Sequence, residues 1–211
     1  MKAVIISGGT PPSEKLLKDE LVGNYVLICA DSGAKCAYEY KIIPDYIIGD
    51  FDSTDDYILK FFLNKKSIIE TYPIEKDYTD TELAVIKALE LKVDKIVFLG
   101  CTGTRLDHTF GNLALLYKCL DNNTEAFIKD NNNIITMVNH SVIIKGQKGD
   151  KFSIFAYNKP IINLSIFGAK YSLNKYILKI GDNVTISNEF VNNEVKIDFE
   201  SGNLIIMKSI D

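Results

Sequence analysis

Long apolar segments are absent from this sequence of 211 residues. No run approaches the ~18 residues that a membrane-spanning helix needs, so the sequence predicts no membrane partner. The first residues, MKAVIISGG, contain an apolar stretch too short for the core of a signal peptide, and we expect a first β-strand there. With 46% hydrophobic residues, the chain still has ample material for a packed core.

Clusters of metal-binding cysteine and histidine are also missing. The chain has four cysteines, no CxxC pair and two histidines, which argues against a structural zinc site. We therefore expect reduced, mostly buried thiols and a cytoplasmic protein. The cysteines are Cys29, Cys36, Cys101 and Cys119.

Positive charge is not in excess. The chain has 28 acidic and 24 basic side chains, a net charge of −4. This balance argues against non-specific binding to nucleic acid, which needs a basic surface. If the substrate is an anion, a divalent cation is expected to mediate its contact with so acidic a protein.

Two common motifs are lacking as well. Without GxxxxGK[ST], a nucleotide here would not sit in a P-loop. Without GxSxG, the neighbours Asp107 and His108 do not indicate a catalytic triad, because adjacent residues seldom align that way. A positioning or capping role is expected for His108.

The residues that are present form two patterns. Up to about residue 125, continuous apolar runs such as YVLICA and KIVFLG alternate with helical patterns, which predicts a doubly wound, mostly parallel α/β sheet. Beyond it, short β-rich runs separated by Asn, Gly, Lys and Pro predict an antiparallel β-sandwich. We predict two domains, residues 1–125 and 126–211.

Polar residues collect where the strands of the first half end. Because open α/β sheets bind ligands at the carboxyl ends of their strands, these stretches are predicted to form one site. In chain order they are SGGT (7–10), ADSGA (30–34), GDFDS (49–53), YPIEKDYTDTE (72–82) and GCTGTRLDH (100–108).

The two carboxylates of GDFDS have two interpretations. Strand alternation would place Asp50 and Asp52 on the same side, where Mg²⁺ would relieve their repulsion and bridge to phosphate oxygens. Alternatively the stretch is a solvated turn, with Ser53 capping a helix that begins near Thr54. Asp31, after the second strand, adds a further carboxylate at the same edge.

The stretch KDYTDTE is equally ambiguous. Thr79 and Glu82 have the spacing of a capping box ahead of an amphipathic helix, and Asp80 would then only complement the helix dipole. A cap does not require Lys76 and Asp77, however, which offer a phosphate partner and one more possible metal ligand. Together with the other carboxylates, they favour the metal interpretation.

The stretch GTRLDH adds groups suited to a nucleotide. Arg105 offers a fork for phosphate oxygens, and the glycine-bearing turn before a helix exposes backbone N–H groups to an anion. Asp107 could accept hydrogen bonds from a ribose or a base edge.

In order and approximate spacing, these stretches resemble the blocks of bacterial thiamine pyrophosphokinases. The resemblance continues through GAKYSL (168–173) and TISNEF (185–190) and covers nearly the whole chain. It implies a homodimer that transfers pyrophosphate from ATP to thiamine with Mg²⁺ and releases AMP. A primary alcohol would attack the β-phosphorus in line. The site is therefore expected to neutralise the phosphate charge and to position the reacting groups.

The resemblance also assigns roles to individual residues. Metal and catalytic roles fall to Asp31, Asp50, Asp52 and Asp80, with Lys76 and Asp77 on the phosphate side. The nucleotide is assigned to Asp31, Ser32, Gly33, Ser53, Thr102, Gly103, Arg105, Asp107 and His108, and thiamine to Ser187 and Asn188. A tyrosine such as Tyr171 would suit the cationic aromatic rings of thiamine as well. For SNE alone a β-turn is the competing interpretation. Ser32, Lys35 and Thr104 depart from the family pattern, which affects the geometry expected for the nucleotide loop.

Other functions remain open. A DxD-dependent nucleotide-sugar transferase would also end a strand with metal-binding aspartates, but it would not require KDYTDTE or RLDH. A dehalogenase-type phosphatase carries its DxD after the first strand, whereas this one follows the third. A non-catalytic nucleotide sensor would use the β half as an interaction module.

Overall fold

The continuous apolar runs of the first half form parallel strands. The structure, a computed structural model, describes residues 1–210. Six strands pair in the order β4-β3-β2-β1-β5-β6, with every pairing parallel. They are β1 (Lys2–Ile6), β2 (Tyr25–Ala30), β3 (Tyr46–Gly49), β4 (Ile68–Thr71), β5 (Lys95–Leu99) and β6 (Glu125–Lys129). The α/β architecture predicted for this half is confirmed.

Helices connect successive strands of this sheet up to β6. They are α1 (Glu14–Glu20), α2 (Gly33–Glu39), α3 (Asp56–Asn64), α4 (Asp80–Glu90) and α5 (Leu106–Asp121). The chain runs outward from β1 to β4 and then returns past β1 to β5. The direction of winding therefore reverses between β1 and β5, and the crevice at the carboxyl ends of such strands is where open α/β sheets bind ligands.

The second half is made of antiparallel strands. They are β7 (Asn133–Val138), β8 (Val142–Lys145), β9 (Lys151–Phe167), β10 (Leu173–Leu178), β11 (Asn188–Glu189), β12 (Glu194–Asp198) and β13 (Ser201–Ser209). The long strand β9 pairs mainly through its first part with β13 and through its last part with β12 and β10. Its alternate side chains, among them Phe152, Ile154 and Ile166, are buried in one apolar cluster with Phe190.

The two halves are separate compact units, divided after Asn131. The predicted boundary after residue 125 would remove β6 from the first unit. β6, however, pairs with β5 in a register that begins with Lys95 opposite Glu125. The structure thus shifts the division to the turn that follows β6, because a strand belongs with the sheet that satisfies its backbone.

The four cysteines are free and buried. Burial raises the pKa of Cys36 to about 11 and the pKa of Cys101 to about 12. These thiols therefore stay protonated and are poor nucleophiles at neutral pH. Over residues 1–210, none of the helices has the length and apolar character needed to cross a membrane.

Candidate active site

A cleft of about 620 Å³ lies at the carboxyl ends of β1, β2, β3 and β5. The loop before α4 and the first residues of α5 complete its walls. Of the predicted site residues, it is lined by Asp31, Ser32, Asp50, Ser53, Lys76, Asp80, Thr102, Gly103, Arg105 and His108. Gly33, Asp52, Asp77 and Asp107 lie outside this lining. The strand-end stretches therefore do meet at one edge of the sheet.

Three carboxylates converge at one end of this cleft. Asp31, Asp50 and Asp52 each offer an oxygen, and these oxygens lie within 4.8 Å of one another. Phe51 takes a left-handed backbone conformation (φ 63°), so the chain folds back and the Asp52 N–H donates to Asp50 Oδ1 at 3.3 Å. The two aspartates converge as predicted, but through this turn rather than through strand alternation. Gly49 lets β3 approach β2, because a Cβ there would lie 3.1 Å from the Asp31 Cβ.

Two hydroxyl groups orient the carboxylates. The buried Thr54 donates to Asp31 Oδ1 at 3.1 Å, and Ser53 donates to Asp52 Oδ1 at 2.7 Å. The helix cap that belonged to the alternative, turn interpretation of this stretch is absent at Ser53, because α3 begins at Asp56 with Asp55 as its N-cap. Both hydroxyls serve the carboxylate cluster instead, and sequence reasoning did not identify Thr54 as part of it.

Lys76 joins the cluster to α4. Its Nζ lies 2.6 Å from Asp50 Oδ2 and 2.9 Å from Asp80 Oδ1. The second contact is an ion pair rather than a directed hydrogen bond, since Asp80 Oδ1 has no hydrogen-bond partner among the described residues. Asp80 is therefore linked to Asp50 through an ammonium group and is not part of the group formed by the other three aspartates.

The two partners of Lys76 respond differently to it. The hydrogen bond from Lys76 lowers the pKa of Asp50. Burial raises the pKa of Asp80, and the neighbouring ammonium offsets this only in part. Although burial opposes it, the contacts with both carboxylates raise the pKa of Lys76, so this side chain stays charged at neutral pH.

The predicted cap of α4 is present. Thr79 Oγ1 accepts from the Glu82 N–H at 3.2 Å, and the helix begins at Asp80. The Glu82 carboxylate binds Lys118 at 2.9 Å instead of completing a capping box. The Thr79 cap places Asp80 at the first helical position, in the lining of the cleft, so the capping interpretation and the site interpretation do not exclude each other.

The loop between β5 and α5 is held on several sides. Thr10 N–H donates to the Thr102 carbonyl at 2.7 Å, and Thr102 Oγ1 donates to Asp130 at 2.9 Å. The buried Asn112 of α5 donates to the Cys101 carbonyl at 2.8 Å. Sequence reasoning missed Asn112; its only signal is an amide among the apolar residues of a helix. The loop therefore presents a fixed backbone to the cleft.

Arg105 and Asp107 bind each other across the start of α5. Arg105 Nη2 lies 2.6 Å from Asp107 Oδ2, and Nε lies 3.3 Å from Oδ1. Both side chains are mostly exposed, at 70% and 65%. The Nε and Nη2 edge of the Arg105 guanidinium, which was predicted to receive phosphate, thus holds a carboxylate, and only this edge would have to release Asp107 to bind a ligand.

The predicted thiamine residues of the second unit lie at one corner. The buried Asn188 accepts from the Tyr171 N–H at 3.0 Å and donates to the Tyr171 carbonyl at 2.8 Å. Its amide is therefore used to hold the backbone of Tyr171, a residue that is 56% exposed. Ser187 is exposed in a left-handed conformation (φ 54°), which fits a tight turn before β11.

The carboxylate cluster suits a hard divalent cation. Its ligand atoms are carboxylate oxygens from Asp31, Asp50 and Asp52, without histidine or cysteine. Oxygen donors of this kind favour Mg²⁺, Mn²⁺ or Ca²⁺ over zinc or copper. The cluster can also neutralise and orient an anionic substrate through such an ion.

Comparisons with known proteins agree along nearly the whole chain. A family model described as "Thiamin pyrophosphokinase, catalytic domain" matches residues 17–128, and one described as "Thiamin pyrophosphokinase, vitamin B1 binding domain" matches residues 139–204. A thiamine pyrophosphokinase of Bacillus subtilis is 33% identical over 217 residues and both chains are fully covered. A crystal structure of thiamine pyrophosphokinase from Bacillus subtilis superposes with a TM-score of 0.91 at 30% identity over all of both chains. The enzyme from Geobacillus thermodenitrificans gives 0.87 at 27% identity, covering 100% of this chain and 98% of that one.

Proposed function

This chain belongs to the thiamine pyrophosphokinase family, and on that premise we propose how its own residues perform the reaction. The enzyme transfers pyrophosphate from ATP to the hydroxyl of thiamine, giving thiamine diphosphate and AMP. The observation that supports our assignment of roles is the convergence of three carboxylates and Lys76 at the carboxyl ends of β2 and β3, in the cleft that extends to the ends of β1 and β5.

The carboxylate end of the cleft would hold the phosphates of ATP. Asp31, Asp50, Asp52 and Asp80 would bind Mg²⁺, which would neutralise phosphate charge and polarise the reacting phosphorus. Thr54 and Ser53 would keep two of these carboxylates oriented. Because this transfer depends on positioning more than on covalent chemistry, Lys76 would supply one further positive charge beside the phosphates, with Asp77 at the border of the site.

The remainder of the nucleotide would lie along the loop before α5. Its fixed backbone, from Gly100 to Thr104, can donate N–H groups to an anion at the start of a helix. Ser32, Gly33, Thr102, Gly103, Arg105, Asp107 and His108 are the side chains and glycines that we assign to this part of the ligand. Arg105 would donate to phosphate from Nη1, and release of Asp107 would add the Nε and Nη2 edge.

Thiamine would bind against the second unit, and we propose that two subunits build each active site. Tyr171 is exposed, and its ring, which already attracts Lys170 Nζ at 5.7 Å from the ring centroid, would attract the cationic thiazolium ring in the same way. Ser187 would contact thiamine, and Asn188 would hold the Tyr171 backbone in place. Large apolar side chains that lie exposed in residues 177–186 support a homodimer, because such surfaces mark interfaces. They are Ile177, Ile180, Val184 and Ile186.

We further propose that the first unit is a doubly wound catalytic domain and the second a β-sandwich for thiamine binding and dimerisation. The strand order and the reversal between β1 and β5 support the first assignment. The sharing of β9 between two groups of strands around one apolar cluster supports the second. The free, buried cysteines support a cytoplasmic location.

The identity of the nucleotide product tests the reaction. When the chain is incubated with ATP, Mg²⁺ and thiamine, we expect AMP to accumulate in step with thiamine diphosphate, because attack occurs at the β-phosphorus. Chromatographic separation of AMP from ADP measures this directly. Stoichiometric ADP would exclude pyrophosphate transfer, and ATP left unconsumed would favour the nucleotide sensor. A product that forms only with a nucleotide sugar would instead identify a sugar transferase.

Subunit exchange tests the shared active site. An Asp50→Asn variant and a Tyr171→Ala variant, each impaired alone, are mixed under conditions of demonstrated exchange. Half of the dimers would be mixed, each with one intact and one doubly damaged site, so we expect recovery of about a quarter of normal activity. No recovery despite exchange, or full activity of a monomer, would show that each site is built within one chain.

A further inference from the structure

Lys76 occupies the space between two carboxylates that the proposed reaction requires. Its Nζ lies 2.6 Å from Asp50 Oδ2 and 2.9 Å from Asp80 Oδ1. Only 12% of the Lys76 side chain and 11% of the Asp50 side chain are exposed, so water screens this contact little. The ammonium group thus supplies positive charge to Asp50, which also belongs to the group of three converging carboxylates.

The oxygens of the cluster are unequally engaged. Within residues 1–210, Asp31 and Asp52 each accept one side-chain hydroxyl on a single oxygen. Asp50 uses both oxygens, because Oδ1 accepts from the Asp52 N–H and Oδ2 accepts from Lys76. Of the three converging carboxylates, Asp50 is thus the one whose second oxygen is held by a cation of the protein itself.

We propose that Lys76 is an exchangeable counter-ion of this site. Its ammonium neutralises Asp50 and Asp80 while no divalent cation is bound, and it leaves them for a substrate phosphate when the cation enters. The inference rests on the proposed function for the identity of that phosphate. Its first consequence does not depend on the proposed function: Lys76 and a free divalent cation compete for Asp50.

Competition of this kind favours binding of the cation together with the nucleotide. To use the second oxygen of Asp50, a free cation must displace the ammonium from it, and the ammonium then keeps only Asp80 as a partner. When a phosphate binds together with the cation, the displaced ammonium gains a new anionic partner. The phosphate then replaces the ion pair that the ammonium gave up. Lys76 would therefore make the site prefer the metal–nucleotide complex to the metal alone.

Binding of Mn²⁺ alone to the full chain tests the competition. The free Mn²⁺ concentration is followed by electron paramagnetic resonance during titration, without nucleotide or thiamine. We expect Lys76→Met, which keeps the length of the side chain and removes its charge, to bind Mn²⁺ about tenfold more tightly than the unmodified chain, within the usual range of such couplings. Lys35→Met is the matched control, since Lys35 pairs with Asp55 at 3.9 Å outside the cluster; its Mn²⁺ affinity should change less than twofold.

Equal or weaker Mn²⁺ binding by Lys76→Met would overturn the proposal, since it would mean that Lys76 only orients the carboxylates. Circular dichroism checks that the variant folds. A second measurement uses the unmodified chain and so does not depend on the variant. The nitrogen-15 resonance of the Lys76 ammonium should shift when Mg²⁺ is added. An unchanged resonance at saturating Mg²⁺ would show that Mg²⁺ does not displace the ammonium. Neither readout requires turnover, so they separate this inference from the assay of AMP formation.

Discussion

Asp50→Asn and Asp52→Asn are each expected to lower turnover by roughly 10²–10³-fold, the loss that follows removal of one group stabilising transition-state charge. The two side chains offer oxygens within 4.8 Å of each other and of Asp31. An amide keeps the shape of the carboxylate but removes the charge that would hold a divalent cation. Steady-state AMP formation at saturating ATP and thiamine measures the effect.

The matched control is Asp56→Asn in the first turn of α3. Asp56 is exposed, lies in the same segment and does not line the cleft. Its substitution therefore removes an equal charge near the site without changing the cleft itself. We expect its turnover to stay within twofold of the unmodified chain. Near-normal turnover of Asp50→Asn and Asp52→Asn at ordinary Mg²⁺ would support the alternative that GDFDS is only a turn.

Gly9→Ala should both weaken nucleotide binding and destabilise the first unit. A Cβ at this position would lie 2.4 Å from the Thr102 carbonyl oxygen and 2.5 Å from that of Gly100. Both atoms belong to the backbone of the loop before α5, which Asn112 holds from the other side, so the loop cannot move away cheaply. Overpacking of this kind costs about 1–3 kcal/mol.

Thermal unfolding and the KM for ATP measure this prediction, and Gly111→Ala provides an internal control of opposite sign. Gly111 lies within α5 with open space where a Cβ would project, so alanine there should stabilise the chain by about 0.5–1 kcal/mol. Unchanged stability and KM in Gly9→Ala would show that the loop is mobile enough to accept the methyl group and does not form a fixed nucleotide site.

The sequence by itself determined the architecture of the first half, the edge of the site and the family. Continuous apolar runs are typical of strands buried on both faces, and polar residues at their ends mark the ligand edge because parallel strands end together. The Thr79 cap of α4 could also be predicted from the sequence, since it depends on two residues that are three positions apart. These features involve residues that are close together in the chain or that recur with the period of a helix or strand. Such patterns can be recognised in the sequence without knowledge of the fold.

Only the tertiary structure decided how the side chains of the site are paired. The left-handed turn at Phe51, the bond from Thr54 to Asp31 and the amide of Asn112 beneath Cys101 have no local signature. Lys76 appeared in the sequence as a phosphate partner, yet it bridges Asp50 and Asp80. Such contacts join residues that are distant in the chain or depend on one strained backbone conformation. Which side chains pair with one another depends on how neighbouring strand ends and helix ends are packed in the folded chain.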